Sequence, residues 1–89
     1  MWSKNKPKPT LAEHEHIMRI KELPCVVCDE PGPSECHEFE QGLWWASVPL
    51  CQACHRGPEG YHGTRLRWTL QRMDMVKAIN DTVKKLMTG

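Results

Sequence analysis

The sequence lacks any long apolar run, and this absence argues against a protein that crosses a membrane. No stretch of the 89 residues approaches the roughly 20 consecutive apolar residues that a membrane-spanning helix needs. Residues 1–6 also lack the apolar segment of a secretory signal peptide. The sequence therefore predicts a soluble, cytoplasmic protein with no membrane partner.

The chain also has little apolar material from which to build a core. Its mass of 10.3 kDa leaves room for one small domain, and its hydrophobic fraction is 39%. At this size apolar burial alone contributes little net stability, so small domains often add a bound metal or disulfides. The otherwise ordinary composition argues against a wholly disordered chain.

The net charge is only +1, but the charges are distributed unevenly along the chain. Residues 1–10 carry three lysines and no acid, and residues 11–60 carry nine acids against three basic residues. Residues 61–89 carry six basic residues against two acids. Basic segments on both sides of an acidic middle suit a protein that approaches a polyphosphate, but charge alone favours the interpretation of an ordinary solvated surface.

Five cysteines are the most informative feature of the composition. An odd number leaves one cysteine outside any set of disulfides, and a reducing cytosol disfavours structural disulfides. Four of the cysteines form two pairs, Cys25-x-x-Cys28 and Cys51-x-x-Cys54, with 22 residues between the pairs. Two such pairs make a closed tetrahedral site that favours a structural Zn²⁺, which would contribute to folding. Buried cysteines without metal and a redox-active pair are the alternatives.

Local patterns predict a helix followed by a hairpin. Thr10 and Glu13 fit a capping box at the start of a helix, and Pro24 ends that helix. Residues 34–39 and 45–50 are predicted to form two short strands that pair with each other.

Most of the chain after residue 50 is predicted to be helical, apart from a break at residues 57–60. Residues 51–56 fit a short helical turn, and Thr64 and Asp74 are candidate caps of two further helices. Trp68 is the candidate anchor of this segment in the core. An apolar stripe at helical spacing predicts a face that packs on the core. The stripe comprises Leu66, Leu70, Met73, Val76, Ile79, Val83 and Leu86.

Three histidines remain beside the predicted zinc site. His37 lies in the strand that the cysteine pairs enclose, His55 directly follows Cys54, and His62 lies seven residues further on. The zinc site would tie these segments to one scaffold, so the three imidazoles are predicted to converge. Neutral imidazole binds transition metals, and near neutral pH it also acts as a general base. Three unconnected histidines are the alternative.

The order of these motifs resembles that of the HNH nucleases of the His-Me finger (ββα-metal) class, over about residues 11–70. In that class a CxxC pair precedes a strand with the catalytic histidine, and a second strand ends in a second CxxC followed by a metal-binding His or Asn. The matching segments here are Cys25 to Cys28, Glu35 to Phe39, Val48 to His55 and Tyr61 to Gly63. His62-Gly63 with Trp68 looks most like the phage recombination-enhancing, RecA-dependent nucleases.

The resemblance implies a small α+β fold with a zinc-stabilised ββα-metal core, a flanking N-terminal helix and a C-terminal amphipathic helix. Residues 10–89 are expected to form this single HNH-like zinc domain. Residues 1–9, which contain three lysines and two prolines, are predicted to be a flexible basic arm. The implied function is metal-dependent hydrolysis of DNA phosphodiester bonds, linked to recombination and located in the host cytoplasm.

The resemblance also assigns roles to individual residues. It implies that Cys25, Cys28, Cys51 and Cys54 hold the structural zinc. His37 is the candidate general base. His55 and His62 are candidate ligands of a catalytic Mg²⁺ or Mn²⁺.

The sequence departs from the family at one position. The family often has a metal ligand followed directly by the base, whereas this chain has Cys36-His37-Glu38. With His37 as the base, Glu38 is a ligand or an orienting residue. In the alternative assignment His37 is the ligand and Glu38 is the base.

The implied partners are DNA and a RecA-type recombinase filament. A non-catalytic zinc-ribbon module that binds DNA and a zinc-stabilised interaction protein are the competing functions. Salt-sensitive phosphate contacts are expected from the basic residues near the site and in the arm. These residues are Lys4, Lys6, Lys8, Arg56, Arg65 and Arg67.

Overall fold

The computed structural model describes residues 8–88, which form a small α+β fold. Its elements in chain order are α1 (Leu11–Glu22), β1 (Glu35–Glu38), β2 (Ser47–Leu50), α2 (Gln52–His55), α3 (Leu66–Leu70) and α4 (Met75–Thr88). Lys4 and Lys6 of the predicted arm lie outside the described residues, and Lys8 is exposed. None of the helices between residues 8 and 88 has the length and hydrophobicity that a bilayer crossing requires.

The first helix begins where the capping box predicts. The Thr10 backbone N–H donates to Glu13 Oε1 at 2.8 Å, and the Glu13 backbone N–H donates to Thr10 Oγ1 at 3.1 Å. These bonds satisfy two donors at the helix terminus that have no partner within the helix. α1 contacts both strands and fully buries Ile20.

β1 and β2 form the predicted antiparallel hairpin, with His37 opposite Val48. Both strands are shorter than predicted because residues 40–46 turn back on themselves through two backbone hydrogen bonds. Leu43 N–H donates to the Glu40 carbonyl and Ala46 N–H donates to the Leu43 carbonyl. Within this loop Gly42 has a φ of 91°, a conformation that favours glycine.

The main core lies between β2 and the C-terminal helices. Val48 and Leu50 are fully buried and share one apolar cluster with Trp68 and Ala78. The Trp68 indole Nε1 donates to the Cys54 carbonyl at 2.8 Å, so the side chain fills the core and also binds the end of α2. The prediction that Trp68 anchors the C-terminal segment is therefore confirmed.

The prediction of a core-facing apolar stripe is confirmed only in part for α4, where Ile79 packs against the core cluster and other stripe residues are exposed. Of the stripe residues on this helix, Val76 is 73% and Val83 is 47% exposed, whereas α4 buries Met75, Ala78 and Thr82. α4 is a separate helix from α3 and starts directly after Asp74, whose side chain accepts a hydrogen bond from the Lys77 backbone N–H at 2.8 Å. Its rotation is therefore independent of the preceding helix, and small side chains let it approach β2 closely.

Candidate metal and catalytic site

The four predicted zinc ligands converge on one point. The Sγ atoms of Cys25, Cys28, Cys51 and Cys54 all lie within 4.8 Å of one another, and none of the four residues forms a disulfide. Sulfurs bound tetrahedrally at about 2.3 Å from zinc are separated by about 3.8 Å, and Cys28 Sγ lies 3.6 Å from Cys51 Sγ. The cluster therefore fits a tetrahedral ion such as zinc.

The backbone around the cysteine pairs is held by its own hydrogen bonds. Cys25 N–H donates to the Glu30 carbonyl at 2.9 Å and closes the first turn. Val26 N–H donates to the Pro49 carbonyl at 2.9 Å and ties this turn to β2. Since Cys51 directly follows β2, both pairs are fixed to the same strand end.

The electrostatic surroundings of the cysteines differ. Burial raises the pKa of the Cys54 thiol, although Arg67 Nε donates to its Sγ at 3.2 Å and opposes that effect. Burial would also raise the pKa of Cys28, but hydrogen bonds from the Glu30 backbone and from Cys51 lower it overall. A metal ion would supply the positive charge that keeps the buried sulfurs as thiolates.

The three histidines form a second cluster beside the first. His37 comes from β1, His55 from the end of α2, and His62 from the following turn. One ring nitrogen from each lies within 4.8 Å of the other two, and all three ring centroids are 4.9–5.0 Å apart. His37 Nδ1 and His55 Nε2 are 3.1 Å apart, which suits two ligands of one ion with bonds of about 2.1 Å.

A tight turn brings His62 to this cluster. Tyr61 N–H donates to the Cys54 carbonyl at 2.8 Å, and His62 N–H donates to the His55 carbonyl at 3.2 Å. Gly60 permits the close approach of this turn to α2, because an added Cβ would lie 2.6 Å from the Ala53 carbonyl oxygen. The position of His62 therefore depends on α2.

The environment of His37 keeps its ring neutral. Burial, together with the nearby His55 and His62 rings, lowers the pKa of His37 to about 4. Burial likewise lowers the pKa of His62, assisted by His55 and Arg65. Neutral imidazole is the form that binds a metal, so these shifts of His37 and His62 favour the binding of an ion at neutral pH.

His37 presents its two nitrogens to different surroundings. Nδ1 faces the other histidines, whereas Nε2 is buried and has no hydrogen-bond partner within the described chain. The Tyr61 ring also packs on the imidazole, with 4.7 Å between the centroids. Only Nδ1 is therefore directed at the centre of the cluster.

Glu35 is a site residue that the sequence interpretation missed. Its Oε1 lies 2.8 Å from His55 Nδ1, on the opposite side of the ring from His37. Arg56 holds the same carboxylate with two bonds, from Nε to Oε1 at 3.0 Å and from Nη2 to Oε2. Burial would raise the pKa of Glu35, but the bonds from Arg56 and His55 outweigh it and lower the pKa. The sequence signal that could have identified Glu35 is its position two residues before His37, because residues two apart in a strand lie on the same face.

The histidine cluster opens into a cavity of about 390 Å³. Glu38 lines this cavity and accepts a long hydrogen bond from the Gly42 backbone N–H at 3.4 Å. The exposed Phe39 lies at the same opening. The complete lining is Cys36, His37, Glu38, Phe39, Gln41, His55, Tyr61 and His62. A substrate group in this cavity would therefore meet both the histidines and a carboxylate.

The basic residues predicted to contact DNA have different surroundings. Arg56 is occupied by Glu35, and Arg67 lies at the four-cysteine cluster. Arg65 has a φ of 62°, stacks 3.9 Å over the Tyr61 ring and donates from Nε to the Tyr61 carbonyl at 2.8 Å. Its two terminal nitrogens have no partner in residues 8–88, which leaves them available to an anion beside His62.

No family model, curated protein or solved structure matches this chain. The geometry of the two clusters is therefore the basis on which a function can be proposed.

Proposed function

We propose that this chain is a metal-dependent endonuclease of the HNH type, which hydrolyses phosphodiester bonds in DNA. The observation that carries the proposal is the convergence of His37, His55 and His62 beside a separate four-cysteine cluster. The hairpin followed by α2 then corresponds to a ββα-metal core, with a structural zinc in the cysteine cluster and a catalytic ion in the histidine cluster.

The donor set favours Mn²⁺ over Mg²⁺ as the catalytic ion. The three candidate ligands are imidazole nitrogens, and imidazole suits transition metals, whereas Mg²⁺ selects oxygen ligands. When bound, such an ion stabilises the negative charge that develops on the phosphate and on the leaving oxygen.

We assign His37 to the ligand set and Glu38 to the role of general base. The sequence had favoured His37 as the base, but the Nε2 atom of His37 is buried and its Nδ1 atom faces His55. Neither nitrogen of His37 is then directed at a water in the cavity. Glu38 lines that cavity and carries a carboxylate that can take the proton.

Arg65 is the best candidate for binding the scissile phosphate. Its stack on Tyr61 and its hydrogen bond to the Tyr61 carbonyl hold the guanidinium in place, so little ordering is needed when an anion binds. In the proposed reaction water attacks the phosphorus and its proton passes to Glu38. The P–O bond opposite the water breaks, and the leaving oxygen takes a proton from solvent.

Cleavage of DNA by the purified, zinc-loaded chain tests the proposal. Supercoiled and single-stranded DNA would be incubated with Mn²⁺ or Mg²⁺, next to His62→Ala and the surface control His14→Ala. We expect ion-dependent nicking by the wild type and by His14→Ala, and none by His62→Ala. His14 is the matched control because it is an exposed histidine on α1, away from the cluster.

A second substrate separates the competing functions. The same proteins would be incubated with DNA coated by a RecA-type recombinase, since the family resemblance implies that partner. Cleavage of the coated DNA alone supports a nuclease that requires the filament. Binding that weakens with salt, without cleavage of either substrate, would overturn the nuclease proposal in favour of a zinc-ribbon module.

A further inference from the structure

We infer that Glu35 is a positioning residue that fixes the tautomer of His55, and that Arg56 holds Glu35 in place for this purpose. The inference rests on the histidine metal site of the proposed function. It assigns a role to two residues that contact neither the bound ion nor the substrate.

The His55 ring can bind an ion in only one of its two neutral tautomers. A neutral imidazole carries one proton, so one nitrogen donates and the other accepts or binds a metal. His55 Nε2 lies 3.1 Å from His37 Nδ1, at the centre of the histidine cluster. To bind an ion there, His55 must keep its lone pair on Nε2 and its proton on Nδ1.

The Glu35 carboxylate lies where it can accept a hydrogen bond from the His55 Nδ1 proton. Glu35 Oε1 lies 2.8 Å from this nitrogen, and an ionised carboxylate only accepts hydrogen bonds. The contact therefore stabilises the tautomer with the proton on Nδ1. Metal-binding histidines commonly donate their second N–H to a carboxylate in this manner, which also orients the ring.

The Glu35 carboxylate is itself held in place by Arg56. Arg56 binds Glu35 through Nε and Nη2, and this two-point contact fixes both carboxylate oxygens. Arg56 and His55 are consecutive residues at the end of α2, whereas Glu35 starts β1. The three side chains thus join the strand to the helix at the edge of the site, and Arg56 supports the site without binding the scissile phosphate.

Two measurements on zinc-loaded protein test the inference. The first is the protonation of the His55 ring nitrogens, read from ¹⁵N chemical shifts without added divalent ion. The second is the affinity for Mn²⁺, read by electron paramagnetic resonance. The variants are Glu35→Ala, which removes the acceptor, and Glu35→Gln, which keeps an oxygen that can accept from Nδ1. Glu15→Ala is the control because Glu15 is an exposed acid on α1.

We expect wild type and Glu15→Ala to have the proton on Nδ1 and to bind one Mn²⁺. Glu35→Ala should show a mixture of tautomers and bind Mn²⁺ about 10–100-fold more weakly. Glu35→Gln should keep the Nδ1 proton and lose less affinity than Glu35→Ala. If Glu35→Ala misfolds, as seen in its far-ultraviolet circular dichroism and zinc content, Glu35→Gln and Arg56→Ala decide the question.

The outcomes separate this inference from the proposed function. If the wild type and His62→Ala bind Mn²⁺ with the same affinity, the histidines do not form the proposed metal site. The ¹⁵N measurement would still report whether Glu35 sets the tautomer. A folded Glu35→Ala variant with the Nδ1 proton and the affinity of the wild type would overturn the positioning role.

Discussion

Arg67 donates a hydrogen bond from Nε to the Sγ of Cys54 at 3.2 Å, which joins α3 directly to the four-cysteine cluster. Cys54 is fully buried, so its sulfur has no water to replace this donor. A zinc ion with four thiolates carries a net charge of −2, and the guanidinium offsets part of it. We therefore expect Arg67 to support the four-cysteine cluster, and its contact with DNA stays a prediction.

Replacing Arg67 with alanine is expected to weaken zinc binding about 10-fold, because the variant removes a donor to a ligand sulfur. The transfer of zinc to a chromogenic chelator measures this effect. Arg19→Ala removes an exposed arginine from α1 and should retain zinc as the wild type does. Equal zinc retention by both variants would contradict the role given to Arg67.

Removal of zinc is expected to unfold the chain. Binding of structural zinc contributes roughly 10–16 kcal/mol in small domains, which is comparable to the whole stability of most proteins. Cys25 and Cys54 are also part of the apolar core, so the cluster and the core are lost together. Circular dichroism and tryptophan fluorescence during titration with a chelator measure this change. A cooperative thermal transition in zinc-free protein would contradict the prediction.

Replacing Glu38 with glutamine is expected to reduce the rate of DNA cleavage by about 10²–10⁴-fold, because the amide cannot accept the proton from water. The affinity for Mn²⁺ should be unchanged, since the proposed ligands are the three histidines. Glu40→Gln alters an exposed acid of the loop that follows β1 and should cleave at the rate of the wild type. A Glu38→Gln variant with full activity would return the base role to His37.

Replacing Gly60 with alanine is expected to displace the turn that carries His62. The added Cβ would lie 2.6 Å from the Ala53 carbonyl oxygen and 2.8 Å from the Cys54 carbonyl carbon, and backbone atoms move aside only at a cost of about 1–3 kcal/mol. Chemical denaturation measures the stability, and Mn²⁺ titration measures the cluster. Unchanged values in both would show that the turn tolerates a methyl group.

Stability is expected to fall with decreasing pH through the protonation of His37. Its pKa is about 4 in the folded chain against 6.5 ordinarily, so the unfolded chain binds the proton first. The contribution of His37 to the free energy of unfolding is complete above pH 6.5 and is lost as the pH falls towards 4.

The measurement compares the wild type with His37→Gln, each carrying one equivalent of zinc, by denaturation at several pH values. Between pH 7 and pH 4 the free energy of unfolding of the wild type should fall by roughly 1–3 kcal/mol more than that of the variant. This range allows for the partial exposure of the His37 ring. Parallel pH profiles of the two proteins would mean that the His37 ring titrates as an ordinary histidine.

Local rules predicted the elements whose ends are set by nearby residues. The capping box of Thr10 and Glu13 placed the start of α1, and the spacing of Cys51 and Cys54 predicted the turn that became α2. The convergence of the histidines was also predictable, because His55 is adjacent to a metal ligand and His37 lies in a strand between the two pairs.

Features that depend on long-range packing could not be predicted in the same way. The rotation of α4 depends on how closely Ala78 and Thr82 approach the core, which a hydrophobic pattern does not record. The direction of each His37 nitrogen depends on the ring orientation, which Tyr61 and the other histidines determine. The pairing of Glu35 with Arg56 joins residues 21 positions apart.

Cys54 and His55 are neighbours in the chain, yet the first belongs to the cysteine cluster and the second to the histidine cluster. Because one turn of helix presents both, the histidines have no shared location until the cysteines are drawn together. In the proposed nuclease the structural ion would then have to bind before the catalytic ion. In the proposed nuclease, a newly synthesised chain would therefore acquire cutting activity only after it had bound zinc.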